Sequence, residues 1–158
     1  MLMDRQNTFS NDQAITATAI STNVIDLGPL GGLPTANLIR DIGAGAPLYL
    51  HILVTTALDS AGEAATTTVT LESDSTANLA TSATVHWTSG SIAEAVVGVA
   101  GYWIAKGVPL PSGAYERYLG VRYTIGTENM TSGNVTAWIS NNRFDDRTYR
   151  GGFSTGVS

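Results

Sequence analysis

Short runs in which apolar and polar residues alternate dominate the chain and restrict the folds that it can adopt. The clearest is "LYLHILVT", where Leu50, Ile52 and Val54 alternate with Tyr49 and His51. A period of two places the apolar residues on one side of a β-strand. Such runs are rich in Thr, Val, Ile, Tyr and Trp and end at Gly, Pro, Ser, Asn or Asp, as strands joined by turns do. We therefore predict an all-β domain.

Eight such runs suggest a β-sandwich or barrel. The predicted sandwich domain spans residues 14–141, and the polar segments 1–13 and 142–158 are predicted to be extended N- and C-terminal arms. The segment "SIAEAVVGVA", residues 91–100, fits either a helical turn or a strand. The predicted strands lie at about residues 14–19, 22–27, 47–57, 66–73, 82–88, 100–107, 116–125 and 134–141.

Two of these runs have a polar face that carries large side chains. In "ERYLGVRYTIG" one face is apolar and predicted to be core, whereas Tyr118 and Arg122 lie on the other. In the last run Trp138 shares a face with Thr136 and Ser140. Tyr, Trp and Arg are enriched at protein contacts, so we predict that these three side chains meet another subunit. For Trp138 the alternatives are a sugar-stacking platform, or burial through a register slip at a bulge.

The charge content excludes some classes of partner. The 158 residues carry only 13% charged side chains and a net charge of -5. Nucleic-acid binding depends on Lys and Arg, so a nucleic-acid partner is not expected. So few charges suggest a surface that is partly covered by other proteins. No hydrophobic run is long enough to cross a bilayer, so no membrane partner is expected.

The chain shows no pattern of residues typical of an enzyme or a metal site. It has no cysteine, and its two histidines, His51 and His86, lie within predicted strands and are predicted to be exposed or to face a partner. Glu72 and Asp74 enter "SDSTAN", which lacks the glycine and final glutamate of a calcium loop. We therefore predict no catalytic, cofactor-binding or metal-binding residue, and no enzymatic activity.

Four segments, in the same order, resemble the capsid cement (decoration) proteins of tailed bacteriophages, of the kind found in the Bordetella phage. Residues 85–112 resemble that family least. The resemblance implies a jelly-roll β-sandwich that forms a homodimer, or else a trimer. It also implies binding to the major capsid protein on the outside of the virion, after synthesis in the host cytoplasm. The four segments are "DRQNTFSNDQAITATAISTNVIDLG", "RDIGAGAPLYLHILVTTAL", "ERYLGVRYTIG" and "MTSGNVTAWIS".

In a cement protein the two arms would supply contact area for bridging shell subunits. Their aromatic residues are then the expected anchors, and their arginines the expected pairing groups. A carbohydrate-binding β-sandwich, such as an adhesin domain, is the main alternative, and a hydrolase with a clustered acid pair is the third. The expected anchors are Phe9, Phe144, Tyr149 and Phe153, and the expected pairing groups are Arg5, Arg143, Arg147 and Arg150.

Overall fold

A computed structural model describes residues 5–28, 42 and 47–143. Nearly all of the regular structure in these residues is β-strand, as the alternating runs predict. A 3-10 turn at Arg5–Asn7 precedes the first strand, and a short helix, α1, spans Glu94–Val97. The strands are β1 (Thr8–Ala14), β2 (Ala19–Ile20), β3 (Ile25–Asp26), β4 (Tyr49–Ser60), β5 (Thr66–Asp74), β6 (Thr84–Ala93), β7 (Trp103–Pro109), β8 (Tyr118–Gly126) and β9 (Met130–Ser140).

The strands form two antiparallel sheets. Sheet A has the order β1-β9-β4-β7, and sheet B has the order β2-β8-β5-β6, with β3 also paired to β8. If β2 and β3 are counted as one interrupted strand, each sheet has four strands. Strands that follow one another in sequence then mostly lie in different sheets, which is the arrangement of a jelly roll. The prediction of a jelly-roll β-sandwich is confirmed.

The core lies between the inner faces of the two sheets. On β4 the alternating residues Leu50, Ile52 and Val54 are at most 1% exposed, as their spacing predicts. The apolar face of β8 is also confirmed as core, with Leu119, Val121 and Tyr123 fully buried and Ile125 packed at the margin. The hydroxyl of Tyr123 reaches Ser10 Oγ on β1 at 2.8 Å, so this polar group is satisfied within the core.

The N-terminal part of the sandwich begins earlier than the sequence suggests. Residues 8–14 form β1, which pairs with β9 between Thr8↔Trp138 and Ala14↔Asn134. Phe9 is fully buried in the core. The predicted N-terminal arm of residues 1–13 is therefore wrong over residues 8–13. Two register shifts and the positive φ of Asp12 disturb the alternation of this strand, which explains why its pattern was weak.

The segment with two possible interpretations contains both kinds of structure. Ser91–Ala93 complete β6, and the next four residues form α1. Only residues 127–129 connect β8 to β9, because β8 ends at Gly126 and β9 begins at Met130. β6 is also irregular, since its register with β5 shifts twice, and none of its ten residues is buried.

A loop between β5 and β6 covers part of the outer face of sheet B. Arg122 Nε donates to Glu72 Oε2 at 2.9 Å, and its Nη2 donates to the carbonyl of Leu79 in the loop at 2.5 Å. Leu79 packs onto Gly120, where an added Cβ would approach its side chain to 2.8 Å. The Asp74 carboxylate accepts N–H groups of the same loop. The outer face of β8 is therefore bound to its own chain through Arg122.

We predict that Arg122→Met lowers the free energy of unfolding by about 2–4 kcal/mol, because it leaves the buried carboxylate of Glu72 without its cation. The matched control is Arg117→Met, which breaks an ion pair to Asp26 whose side chains are 48% and 43% exposed. That change should cost much less, because an ion pair between solvent-exposed side chains contributes little to stability. Urea unfolding of both variants measures the difference, and equal losses would contradict the structural role of Arg122.

One end of the sandwich is closed by two carboxylates that share a serine hydroxyl. Ser60 Oγ lies 2.5 Å from Glu94 Oε2 and 2.6 Å from Glu128 Oε1. Backbone N–H groups of Ser60 and Ala65 donate to Glu94, and those of Gly62 and Ala64 donate to Glu128. We call Ser60, Glu94 and Glu128 the carboxylate lock. It joins the β4–β5 turn, the start of α1 and the β8–β9 turn.

The carboxylate lock should make stability depend on pH. The Ser60 hydroxyl, whose single proton is donated to one carboxylate at a time, and the backbone N–H donors lower the pKa of Glu94 and of Glu128 below the ordinary value of 4.5. A lowered folded-state pKa stabilises the fold above the unfolded value, and this contribution is lost as the pH falls through the folded-state pKa. We expect the free energy of unfolding to decrease as the pH is lowered from about 6 to about 3. The variant Glu94→Gln should be less stable than the unmodified protein at pH 6, and its stability should depend less on pH.

The control for this prediction is Glu63→Gln, which changes an exposed side chain of the neighbouring turn. It should leave the free energy of unfolding at pH 6 unchanged, as measured by urea titration. If Glu94→Gln were equally harmless at pH 6, the lock would not hold this end of the fold.

Candidate interaction surface

An exposed apolar loop lies at the end of the sandwich that the carboxylate lock closes. We call residues 94–101 the valine loop, because Val96 and Val99 are 43% and 59% exposed while Val97 between them is fully buried. Two backbone hydrogen bonds fix the loop: Gly101 N donates to the carbonyl of Val54 on β4, and Glu94 N donates to the carbonyl of Ala65, the residue before β5. The two exposed valines are therefore held on a rigid base.

The same end of the sandwich is acidic. We call it the valine end and define it by residues 58–66, 93–102 and 126–130. It carries Asp59, Glu63, Glu94 and Glu128, and no lysine or arginine occurs in these three ranges. The cations among the described residues belong to other parts of the fold, at Arg5, Lys106, Arg117, Arg122 and Arg143. Among the described residues, the valine end thus combines apolar contact area with carboxylates that no lysine or arginine of the same three ranges offsets.

The predicted exposure of Trp138 is wrong, although its predicted face is right. Trp138 lies on the outer face of sheet A but is only 4% exposed. Its ring stacks on His51 at 5.2 Å and meets Trp103 edge-on at 5.8 Å. No register slip is needed to bury it, because β9 and β4 pair continuously from Val135↔Val54 to Ser140↔Tyr49. Neighbouring aromatic rings on the same face bury Trp138.

His51 connects this aromatic cluster to the chain that follows β9. It is fully buried, so its predicted exposure is wrong. Its Nδ1 accepts from Gly107 N at 3.2 Å, which leaves Nε2 to donate to the carbonyl of Asn142 at 3.0 Å. Burial lowers the pKa of His51, which favours this neutral form. A side chain at Gly107 would collide with the backbone of Arg143, so the chain after β9 folds back over sheet A.

The other predicted contact residues divide into three groups. Phe9 is fully buried in the core, so it is not the exposed anchor that was predicted. Arg122 is bound to Glu72, and its contact with another subunit stays a prediction. Tyr118 is half-buried under the guanidinium of Arg117 at 5.0 Å, and Arg143 is exposed. Arg5 is exposed and lines a cleft of about 520 Å³ beside Asn11 and Asn23. Phe144, Arg147, Tyr149, Arg150 and Phe153, with the rest of the predicted C-terminal arm from residue 144, lie outside the described residues.

One serine–histidine pair has the spacing of a nucleophile and a base. Ser73 Oγ lies 2.7 Å from His86 Nε2, and the ring of Tyr115 stacks on His86 at 3.9 Å. Ser73 is fully buried and also accepts from Glu116 N, so a substrate cannot reach its oxygen. No carboxylate forms an ion pair with His86 in the described part of the chain. The pair is a packing contact between β5 and β6.

The acid pair that a hydrolase would need does occur, but in an unsuitable place. Glu94 and Glu128 are close together, yet Glu94 is 6% exposed and both accept structural hydrogen bonds. Within residues 5–28, 42 and 47–143, no group of three or more His, Asp or Glu side chains could hold a metal ion. None of the helices in those residues has the length and apolarity needed to span a bilayer.

Sequence reasoning missed the valine end because its signal is distributed over three loops. The chain between Asp74 and Lys106 contains one charged residue, Glu94, and that residue is buried. Such an uncharged stretch was visible in the sequence. Val96 and Val99 point outward and Val97 points inward because Glu94–Val97 form a four-residue helix. The sequence pattern of this segment fitted a helical turn and a strand equally well, so these directions could not be predicted.

Comparison with known proteins agrees with the fold described above. Residues 9–139 match the Bbp16 family, a span that begins within β1 and ends within β9. No curated protein matches the chain. The matched span covers all nine described strands except the first residue of β1 and the last residue of β9, and the family name points to a Bordetella phage protein. The chain therefore belongs to the Bbp16 family.

Proposed function

We propose that this protein is a structural virion protein without enzymatic activity. In this proposal it is a capsid cement protein, which binds the outside of the major capsid protein shell and stabilises the shell by bridging its subunits. The observation that carries the proposal is the valine loop, where two exposed valines stand on a rigid, acidic end of a phage-family β-sandwich. Exposed apolar side chains on a fixed base are typical of a surface that binds another protein.

The surface elsewhere supports a protein-binding role better than a catalytic one. The Ser73–His86 pair is inaccessible and the carboxylate lock is structural. Among the described residues, those that line the cleft beside Arg5 include neither a histidine nor a carboxylate. We propose a homodimer as the binding unit, with a trimer as the alternative, and a location on the outer surface of the virion.

Shell stabilisation follows from linkage. A protein that binds the assembled lattice more tightly than free subunits shifts the equilibrium toward the lattice. If it touches two subunits, the second contact is intramolecular, so two modest patches give strong retention. A dimer with one valine end on each protomer would present two such patches, and this geometry suits bridging.

The carbohydrate-binding alternative loses its strongest candidate residue. A sugar platform needs exposed aromatic rings on one face. Trp138 is buried beneath His51 and Trp103, and Tyr118 is half-covered by Arg117. A sugar site built on Trp138 would require the aromatic cluster of sheet A to open.

We predict that the purified protein co-sediments with shells assembled from the major capsid protein of the same phage. The melting temperature of the shells should rise with protein concentration, because only the assembled lattice binds. Sedimentation equilibrium of the free protein gives its molecular mass and so tests whether it is a homodimer. Protein that stays in the supernatant, together with shells that melt unchanged, would refute the proposal. A saccharide-dependent change in tryptophan fluorescence would then favour the sugar-binding alternative.

A further inference from the structure

We infer that the valine end is the docking surface, and that its partner is an apolar recess of the shell protein rimmed by lysine or arginine. The inference rests on the proposed function and adds which part of the molecule makes the contact. It also states the chemistry of the surface that receives it. Three features occur together at this end of the described fold: two exposed valines, carboxylates without a lysine or arginine in the same three ranges, and a base that is hydrogen-bonded to neighbouring elements.

The exposed valines indicate that the partner has an apolar surface where it contacts them. Among the described residues the large hydrophobic side chains with substantial exposure are Val85, Val96 and Val99. Val85 lies alone at the opposite end of β6, whereas the other two are three residues apart in one loop. An isolated exposed valine needs no explanation, but a pair in one short loop offers an apolar contact that a partner can bury.

The carboxylates of the valine end indicate the charge of the partner surface around the apolar recess. Asp59 and Glu63 are exposed beside the valine loop, and the two carboxylates of the lock lie behind them. No lysine or arginine in residues 58–66, 93–102 or 126–130 offsets these charges. A partner surface with its own carboxylates would be repelled, whereas lysine or arginine around the recess would be attracted and would speed association. Charge complementarity therefore selects a basic rim.

The carboxylate lock sets the rigidity of the surface. Glu94 is the first residue of α1 and is also the buried member of the lock, so the hydrogen bonds to Ser60 fix the start of the valine loop. Gly98 N donates to the carbonyl of Glu94, and a Cβ added at Gly98 would lie 3.4 Å from the carbonyl of Leu58, so the middle of the loop lies close to β4. A loop that is already ordered loses little entropy on binding, so two valines give more affinity here than on a mobile loop.

The opposite end fits this role less well. There the described charges are paired or engaged within the chain, as in Arg117–Asp26 and the Thr84–Glu116 hydrogen bond. Its exposed apolar residue, Val85, lies on a strand whose register shifts twice against β5. Such irregular edges discourage regular pairing with another strand.

The test combines two variants with two controls on shells of the major capsid protein. The apolar variant is Val96→Ser with Val99→Ser, and its control is Val85→Ser at the opposite end. The charge variant is Asp59→Asn with Glu63→Gln, and its control is Glu116→Gln. Melting of the free proteins checks that all four fold, and surface-immobilised shells give the association and dissociation rates at several salt concentrations.

We expect the apolar variant to dissociate from shells roughly tenfold faster or more, with little change in association rate. The charge variant should associate more slowly at low salt and should lose most of the salt dependence of its association rate. Both controls should behave like the unmodified protein.

Each other outcome overturns the inference in a distinguishable way. If the unmodified protein binds shells but Val85→Ser and Glu116→Gln weaken binding instead, the opposite end docks and the proposed function stands. If the charge variant associates faster, the rim of the recess is acidic and the inferred partner chemistry is wrong. If the unmodified protein does not bind shells at all, the proposed function and the inference fail together.

Discussion

Burial of the two inner sheet faces against each other is the interaction on which the rest of this structure depends. Leu50, Ile52 and Val54 from sheet A meet Leu119, Val121 and Tyr123 from sheet B, and these side chains are almost completely buried. Once they are fixed, the alternation of each strand determines which side chains point outward. The outward face of β8 then places Arg122 beside Glu72 and the carbonyl of Leu79, which accept its hydrogen bonds.

The inner faces could be predicted from the sequence because they follow a period of two without interruption. β1 could not, since its two register shifts and the left-handed backbone at Asp12 break that period, and Phe9 therefore looked like part of a polar arm. The exposure of residues on the polar faces was mispredicted for a different reason. A residue such as Trp138 is outward in the strand but buried in the molecule, because the rings of His51 and Trp103 lie beside it.

The same distinction separates outward residues from interface residues in this fold. Arg122 and Trp138 were expected to contact another subunit, yet both complete contacts within their own chain. The candidate surface lies instead in the turns at one end, where strand periodicity carries no information. Ser60, Glu94 and Glu128 are far apart in sequence and meet only because β4, α1 and β9 converge there.

The carboxylate lock links the stability of that end to its proposed role. Two carboxylates placed on one hydroxyl repel each other, and Glu128 partly opposes the ionisation of Glu94. Four backbone N–H donors and the Ser60 hydroxyl compensate for this repulsion, so the negative charge can be kept at the valine end without loosening it. A single neutral residue in place of Glu94 would relieve the repulsion, but it would also remove the hydrogen bonds that position α1. Charge and rigidity at this end therefore come from the same side chain.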